Sequence, residues 1–285
     1  MALSDNIWTW FRGDWKQGNL PILGAADHAT WQGTLVFDGA RHFEGVTPDL
    51  DLHCARITRS AAAMGMNSPY TAAEIEKLIR SGIRNFRKGT ELYLRPMMWS
   101  CEASAALIDP DPNSTEFAIC LEELPMPTLG DMALTVSPFR RPHQDTALTE
   151  AKAACLYPNN GRIIAEARKR GFNNALSLDL DDNVAETAST NVFMLRDGEF
   201  FTPIPNGTFL NGITRQRIIS LLQAARHTVR EETLSVADFE GAEEIFMTGN
   251  ASKVTPVTRF QERELPTDQG MMVRGLYWNY AHARG

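Results

Sequence analysis

A stretch containing proline and glycine near the middle of the chain separates two regions of mixed secondary structure. Residues 121–131 read Leu-Glu-Glu-Leu-Pro-Met-Pro-Thr-Leu-Gly-Asp, and their two prolines and one glycine interrupt regular elements. Strand and helix signals alternate on both sides without internal repeats. The pattern predicts an α+β protein with a smaller domain over 1–121, an interdomain linker over 122–131 and a larger domain over 132–285.

The first region carries clear strand and helix signals. Residues 34–43 and 91–99 have the composition and alternation of strands. Thr47-Pro48-Asp49 predicts a helix start, with a cap, a proline at the first position and an acid in the first turn. Thr71-Ala72-Ala73-Glu74 predicts a capping box. The apolar helical stripe that follows, which we expect in the core, consists of Ile75, Leu78, Ile79 and Ile83.

The second region repeats this alternation of elements. Residues 175–180 and 191–195 predict strands, and the turn Arg196-Asp197-Gly198-Glu199 leads the second of them into another strand. Helices are predicted at 161–170, ending at Gly171, and at 214–226. A short strand over 244–248 should end at Gly249-Asn250.

Composition narrows the class of protein. The chain has a formal net charge of -7 at pH 7, which disfavours nucleic acid and anionic membranes as partners because both attract basic surfaces. No apolar run approaches the roughly 18 residues of a membrane-spanning helix. The start Met1-Ala2-Leu3-Ser4-Asp5 lacks the features of a signal peptide. The four scattered cysteines form no Cys-x-x-Cys pair, so we expect free thiols, no metal site and a cytoplasmic protein.

One lysine stands among small neighbours in the segment from Glu150 to Tyr157. Lys152 is flanked by Ala151, Ala153 and Ala154, which leave room for a flat ring beside the amine. A lysine in a partly desolvated pocket can spend time neutral and condense with an aldehyde. Taken alone, the same pattern fits an exposed lysine.

Further segments supply the contacts that a phosphorylated aldehyde cofactor needs. Glu186 follows a turn at 181–183 and could pair with a protonated pyridine nitrogen. Asn211-Gly212-Ile213-Thr214 opens an amphipathic helix whose free N–H groups and dipole favour a phosphate. The turn at 248–252 could add a second anion site, and Arg56 could reach the same phosphate. Taken alone, Glu186 could be a solvated acid and Gly212 an ordinary helix cap. Lys152, Glu186 and the helix start at Gly212, following one another in this order along the chain, together predict a pyridoxal-phosphate (PLP) site.

Five ordered motifs carry a family resemblance. They are Gly33-Thr34-Leu35-Val36-Phe37-Asp38-Gly39-Ala40-Arg41, Tyr93-Leu94-Arg95-Pro96, the segment Glu186–Phe193, the helix start Gly212–Arg215, and Met247–Val257 with its Thr-Pro-Val end. With these motifs the chain resembles the class IV aminotransferases, the fold-type IV PLP enzymes that include branched-chain and D-amino acid aminotransferases. The similarity runs from about Gly24 to nearly the C-terminus.

The resemblance implies roles for matched residues. Lys152 would bind the cofactor covalently and carry the proton between Cα and C4′, Tyr157 would bind its phenolic oxygen, and Glu186 would bind the pyridine nitrogen. The implied cofactor-binding set is completed by Arg56, Asn191, Gly212, Ile213, Thr214, Gly249 and Asn250. The implied substrate-binding set comprises Phe37, Arg41, Tyr93, Arg95 and Ala251. Asn250 stands where the family commonly has threonine.

The resemblance also implies a two-domain fold, a homodimer or higher homo-oligomer, and transamination. An amino acid donor, expected to have an L-branched-chain or other hydrophobic side chain, would pass its nitrogen to a 2-oxo acid. An (R)-selective amine transaminase, a D-amino acid transaminase and an aminodeoxychorismate lyase-type enzyme share the cofactor residues and stay open as alternatives. Tyr93-Leu94-Arg95 favours the L-amino acid branch. Outside enzymes, a non-catalytic protein that binds a phosphorylated ligand is the remaining alternative.

Overall fold

A computed structural model of the chain describes residues 4–283, which form two compact units. The first unit contains the described residues up to Met126 together with Glu150–Cys155, and the second contains Pro127–Thr149 and Leu156–Ala283. The domain limits drawn from the sequence, 1–121 and 132–285 with a linker over 122–131, stay a prediction. Met1–Leu3 of the N-terminal segment considered above lie outside the described residues.

The first unit is built on a six-stranded antiparallel sheet. In chain order its elements are β1 (Ile7–Phe11), β2 (Asp14–Gln17), α1 (His28–Gln32), β3 (Leu35–Phe37), β4 (Ala40–His42), α2 (Leu50–Ala63), α3 (Ala72–Ile83), β5 (Leu92–Ser100) and β6 (Thr115–Glu123). The strand order is β2-β1-β6-β5-β3, and β4 also pairs with β5. The long β5–β6 pair therefore forms the centre of the sheet.

Alternation along β5 determines which of its side chains reach the core. Leu92 and Leu94 are fully buried in one cluster with side chains of α2 and α3, among them Ile75. Tyr93 and Arg95 are half-buried, because successive side chains of a strand point to opposite faces. The strand predicted at 91–99 is thus confirmed, and it presents two candidate site residues on the face opposite the helices.

Two predictions of local structure in the first unit are wrong in detail. Helix α2 begins at Leu50 with Asp49 as its N-cap, rather than at Pro48 with Thr47 as the cap. Asp49 has a φ of 59°, which lies in the left-handed region, so a right-handed helix can start only after it. The strand predicted over 34–43 is two short strands, β3 and β4, interrupted at Asp38-Gly39.

The second unit contains two five-stranded sheets. After β7 (Ala133–Arg140) and the 3₁₀ helix at Ala154–Leu156, its elements are α4 (Tyr157–Lys169), β8 (Asn174–Leu178), β9 (Val184–Thr187), β10 (Asn191–Arg196), β11 (Glu199–Pro203), α5 (Ile213–Ala224), β12 (Val229–Glu232), α6 (Val236–Glu240), β13 (Glu244–Gly249), β14 (Lys253–Pro256), β15 (Arg259–Phe260), β16 (Arg263–Glu264) and α7 (Asp268–Ala283). One sheet has the order β12-β11-β10-β13-β14 and the other β16-β15-β7-β8-β9.

Side chains from both sheets form the core of the second unit. Leu134, Leu176, Val192 and Ile245 are buried in one cluster that draws on β7, β8, β10 and β13. The predicted hairpin between β10 and β11 is confirmed: its turn residues Asp197 and Gly198 have φ values of 52° and 73°, as a two-residue hairpin turn requires. Helix α4 starts at Tyr157, four residues before the predicted start at 161.

Two further properties concern the chain as a whole. All four cysteines carry free thiols, as predicted. Within residues 4–283, the helices are too short or too polar to cross a membrane.

The predicted capping box of α3 is present and gives a test of local stability. The Thr71 hydroxyl accepts from Glu74 N, and the Glu74 carboxylate accepts from Thr71 N. Because Thr71→Ala leaves a helix N–H group without its acceptor, we expect it to lower the free energy of unfolding by about 1 kcal/mol. Urea unfolding followed by circular dichroism measures the loss. Thr71→Ser keeps the acceptor and is the control; equal stability of the Ala and Ser variants would contradict the prediction.

Candidate functional site

The backbone of Lys152 is held by the first unit. Phe37 N donates to Lys152 O over 3.1 Å, and Lys152 N donates to Ser60 Oγ over 3.1 Å. The next residue, Ala153, forms a β-bridge with Val36. The Lys152 side chain is half-buried, and its Nζ lies 4.9 Å from the centroid of the Phe37 ring, within cation–π distance. The amine therefore has a defined direction, which an exposed lysine lacks.

Arg56 of α2 is oriented by a fully buried carboxylate, Asp38. Arg56 donates from Nε to Asp38 Oδ2 over 2.7 Å and from Nη2 to Asp38 Oδ1 over 2.8 Å. His53 Nδ1 lies 2.7 Å from the same Oδ1. Burial alone would raise the pKa of Asp38, but the charges and hydrogen bonds of Arg56 and His53 outweigh it and hold that pKa well below its usual range. The carboxylate stays ionised and fixes the plane of the Arg56 guanidinium.

Arg41, Tyr93 and Arg95 lie together on neighbouring strands. Arg41 on β4 stands opposite Tyr93 on β5 in the register of the sheet, and the guanidinium carbon of Arg95 lies 5.1 Å from the centroid of the Tyr93 ring. Arg41 is fully buried and donates from Nη2 to Leu124 O over 2.6 Å. Its Nη1 has no hydrogen-bond partner among residues 4–283, and burial lowers the pKa of Arg41. A buried N–H without an acceptor costs free energy, so this atom is a candidate donor to a ligand.

Two neighbours fix the positions of Tyr93 and Arg95. A Cβ at Gly39 would lie only 2.1 Å from Tyr93 Oη, so the close packing of this hydroxyl requires glycine. Glu122 on β6 is buried and pairs with Arg95, with 3.4 Å between Oε2 and Nη2. The positive charge of Arg95 is therefore partly compensated by a buried acid.

In the second unit, Glu186 is buried on β9 and paired with Arg141. Glu186 Oε1 lies 3.1 Å from Arg141 Nη2. Arg141 also donates to Thr208 O over 3.1 Å and to Asn160 Oδ1 over 2.9 Å. The charged acid is stabilised by the guanidinium in an environment that excludes most water. Glu186 is thus no solvated acid at the end of a hairpin, the simpler interpretation of its sequence position.

Asn191 links this acid to the start of α5. Its Nδ2 donates to Glu186 Oε2 over 3.4 Å and to Leu210 O over 3.0 Å, while its Oδ1 accepts from Gly212 N over 3.1 Å. A Cβ at Gly212 would lie 2.2 Å from that Oδ1, so the contact leaves no room for a larger residue. Gly212 is the N-cap, and the first N–H groups of the helix that follows lack acceptors within the helix.

The turn between β13 and β14 adjoins the same place. Thr248 pairs with Asn191 in the register of β13 and β10, and Asn191 in turn binds Gly212, the N-cap of α5. In the part of the chain that the structure describes, Thr248 Oγ1 and Asn250 Nδ2 are buried without hydrogen-bond partners. Unsatisfied buried polar atoms beside a helix N-terminus indicate that this region is built for a ligand with acceptor oxygens.

The remaining predicted residues lie on the same elements or at their ends. Tyr157 is the first residue of α4 and is half-buried. Ile213 and Thr214 open α5 and are buried, and Ala251 is exposed at the tip of the turn between β13 and β14. The structure thus brings together Glu186, Asn191, Gly212 and Gly249 within the second unit, and Phe37 with Lys152 and Arg41 with Tyr93 and Arg95 within the first.

Comparison with known proteins identifies the family. The family described as Amino-transferase class IV matches residues 35–260. The chain belongs to this family. An aminotransferase from Brucella abortus bound to PLP superposes with a TM-score of 0.96 at 53% identity, covering 97% of this chain and 99% of that one. The branched-chain amino acid aminotransferase from Escherichia coli superposes with a TM-score of 0.87 at 26% identity, covering 97% and 94%. The probable branched-chain-amino-acid aminotransferase of Rickettsia bellii is 30% identical over 251 residues, which are 88% of this chain and 86% of that protein.

The class IV assignment establishes the fold type, cofactor and reaction. The chain is a fold-type IV, PLP-dependent transaminase that moves an amino group between an amino acid and a 2-oxo acid. The predicted α+β fold, family, cofactor and reaction are therefore confirmed. The roles of individual residues stay predictions.

The donor set of the second unit fits PLP. A pyridinium nitrogen needs an anionic acceptor, which Glu186 supplies in its ion pair with Arg141. A phosphate needs several N–H and O–H donors. The start of α5 can supply backbone N–H groups, and Thr248 Oγ1 and Asn250 Nδ2, which have no hydrogen-bond partner within residues 4–283, can supply two more donors.

Asp38, Glu122 and Arg141 are supporting residues that sequence reasoning missed. Asp38 belongs to a quoted motif, and His53 and Arg56 are spaced to share one face of a helix, so a local signal for their cluster existed. Arg141 reaches Glu186 across 45 residues of sequence, and no local pattern around it indicates that contact.

The Arg141–Glu186 pair can be tested through stability. Removing one partner of a buried pair leaves an uncompensated charge, so Arg141→Met should lower the free energy of unfolding of the cofactor-free protein by about 3–5 kcal/mol. Thermal and urea unfolding measure it.

Two variants make the test specific. Arg140→Met removes the neighbouring arginine, whose pair with Asp182 is exposed, and should cost at most about 1 kcal/mol. Adding Glu186→Gln to Arg141→Met should recover part of the loss because the unpaired charge is gone. A loss as small as that of Arg140→Met would show that the buried pair is not important for stability.

Proposed function

We propose that Lys152 is the catalytic lysine of this transaminase and that the preferred donor is an L-amino acid with a branched-chain or other hydrophobic side chain. The observation that carries the proposal is the placement of Lys152, whose backbone is bonded on both sides and whose half-buried amine lies over the Phe37 ring. The choice of donor is supported by the branched-chain aminotransferases to which the chain is similar.

Lys152 performs both the covalent attachment and the proton transfer. PLP, when bound, withdraws electrons from the Cα of the amino acid, which makes the Cα proton acidic. The Nζ of Lys152 would hold the cofactor covalently and would act as the general base that accepts the Cα proton. The backbone bonds of Lys152 fix the point in the fold from which this side chain extends.

The other cofactor residues bind and orient. Glu186, paired with Arg141, would accept a hydrogen bond from the protonated ring nitrogen, and Tyr157 would donate one to the phenolic oxygen. The amide of Asn191 is hydrogen-bonded to both Glu186 and Gly212, and so holds the acid and the start of α5 in fixed positions relative to each other. In the second unit, the residues that would donate to the phosphate are Gly212, Ile213, Thr214, Gly249 and Asn250. We propose Arg56 of the first unit, oriented by Asp38, as a further phosphate donor.

The substrate carboxylate is assigned to the first unit's buried cations. Arg41 has an N–H donor without a partner inside residues 4–283, and Tyr93 presents its hydroxyl at Gly39 with Arg95 behind its ring. Phe37 and Ala251 complete the proposed substrate contacts. A carboxylate would supply the acceptor that Arg41 Nη1 lacks among residues 4–283, and its binding would be charge-assisted.

We also propose a cytoplasmic homodimer or higher homo-oligomer. Four free thiols agree with a reducing compartment, and the relatives belong to a family for which we expect oligomers. The acidic balance of the chain, a net charge of -7, supports small-molecule substrates rather than nucleic acid or anionic membranes as partners.

Lys152→Ala tests the catalytic assignment. Without the amine, the covalent link to the cofactor and the proton acceptor are both lost, so turnover should fall by at least about a hundredfold. The visible absorbance of the PLP-loaded protein should shift from that of the lysine-bound form to that of the free aldehyde. Lys169→Ala, at the exposed end of α4, is the control and should behave as wild type. Full activity of Lys152→Ala would rule the assignment out.

A substrate panel tests the proposed donor. We expect kcat/KM for L-leucine to exceed that for D-alanine and for a chiral aryl amine by at least about tenfold, with 2-oxoglutarate or pyruvate as acceptor. Faster turnover of D-alanine or of the (R)-amine would identify the enzyme as a D-amino acid or amine transaminase instead. Release of pyruvate from aminodeoxychorismate without an acceptor would identify a lyase.

A further inference from the structure

A fully buried lysine stands directly after the turn that contains Asn250. Lys253 is the first residue of β14 and is 0% exposed. Its φ of 65° lies in the left-handed region, which is unusual for a residue with a long side chain. Lysine is almost never fully buried unless its charge is satisfied. Burial of the charged group and the left-handed backbone both cost free energy, so the presence of a lysine here needs an explanation. Neither the sequence motifs nor the reaction assigns it a role.

The ammonium group of Lys253 determines how the Asn250 amide is oriented. Lys253 Nζ donates to Asn250 Oδ1 over 2.7 Å and lies 5.6 Å from the centroid of the Tyr277 ring on α7. An ammonium group has three donors and no acceptor, so it can face only the oxygen of the amide. The Nδ2 group must then point away from Lys253, and this buried atom has no acceptor among the described residues.

The orientation of the Asn250 amide matters because the turn is linked through Asn191 to the start of α5. Thr248, two residues before Asn250, pairs with Asn191, which binds Gly212 at the start of α5. A hydroxyl group rotates freely and can offer its proton on any side. An amide has a donor side and an acceptor side, and the wrong rotamer would present its oxygen to an anion. A neighbouring cation removes that choice.

We propose that Lys253 is a positioning residue for the cofactor phosphate, acting through Asn250: it holds the amide oxygen so that Nδ2 donates to the phosphate. This inference rests on the proposed phosphate role of Asn250. Lys253 itself touches neither cofactor nor substrate in this scheme. Its buried positive charge also favours an anion on the far side of the amide.

The experiment measures cofactor affinity rather than turnover. PLP and pyridoxal, which lacks the phosphate, are titrated into the cofactor-free full chain, and their dissociation constants are obtained from visible absorbance. Lys253→Met removes the donors at nearly constant volume and should weaken PLP binding about tenfold. Pyridoxal binding should stay unchanged. A lysine that merely supported the fold would alter both ligands alike.

Further variants separate the mechanism from general damage. Lys253→Arg keeps donors facing Asn250 Oδ1 and should restore PLP affinity. In an Asn250→Ala background, Lys253→Met should cause little further loss, since the amide through which it acts is absent. If Lys253→Met does not fold, Lys253→Gln replaces it, because a neutral amide also permits the wrong Asn250 rotamer and should give the same phosphate-specific loss.

The outcomes distinguish this inference from the proposed function. PLP affinity of the lysine variants equal to that of wild type, or equal weakening of PLP and pyridoxal, would overturn the role of Lys253 alone. Full additivity with Asn250→Ala would do the same. Wild-type protein that binds PLP without a covalent link to Lys152 would overturn the proposed function, whatever the Lys253 variants do.

Discussion

The buried pair of Arg141 and Glu186 is the interaction on which the candidate cofactor site of the second unit depends. Two charges withdrawn from water are tolerated only if each finds further partners, and both do: Arg141 binds Thr208 O, and Glu186 accepts from Asn191. Asn191 in turn fixes Gly212 at the start of α5. The acid for a ring nitrogen and the helix start for a phosphate are therefore parts of one hydrogen-bonded network.

In the first unit, too, buried acids are paired with arginines. Asp38 orients Arg56, and Glu122 is paired with Arg95. Asp38 takes away conformational freedom that the Arg56 side chain would otherwise lose on binding a ligand, whereas the longer contact with Glu122 constrains Arg95 less. The acids also reduce the net positive charge, so these arginines contribute direction and hydrogen-bond geometry more than bulk electrostatic attraction.

Local sequence signals predicted the elements but not the contacts between distant parts of the chain. The capping box at Thr71 and the hairpin turn at Asp197-Gly198 depend on a few consecutive residues, and both are present. The start of α2 was misplaced because Thr47-Pro48-Asp49 fits a helix start by composition, whereas Asp49 adopts a left-handed conformation that no local pattern reveals. Arg141 was missed for a related reason, since only folding brings it to Glu186. The motifs located the candidate residues, while their supporting acids and cations required coordinates.

The two arginine pairs of the first unit differ in a way that agrees with the proposed roles. Arg56 makes two short bonds to Asp38, of 2.7 and 2.8 Å, and this geometry is strong and rigid. Arg95 lies 3.4 Å from Glu122, and 31% of its side chain is exposed, so this ion pair is longer and more open to water than that of Arg56. A cofactor phosphate stays bound through every turnover, which favours a fixed arginine. Substrate carboxylates arrive and leave in each half-reaction, which favours a cation held loosely enough to exchange partners.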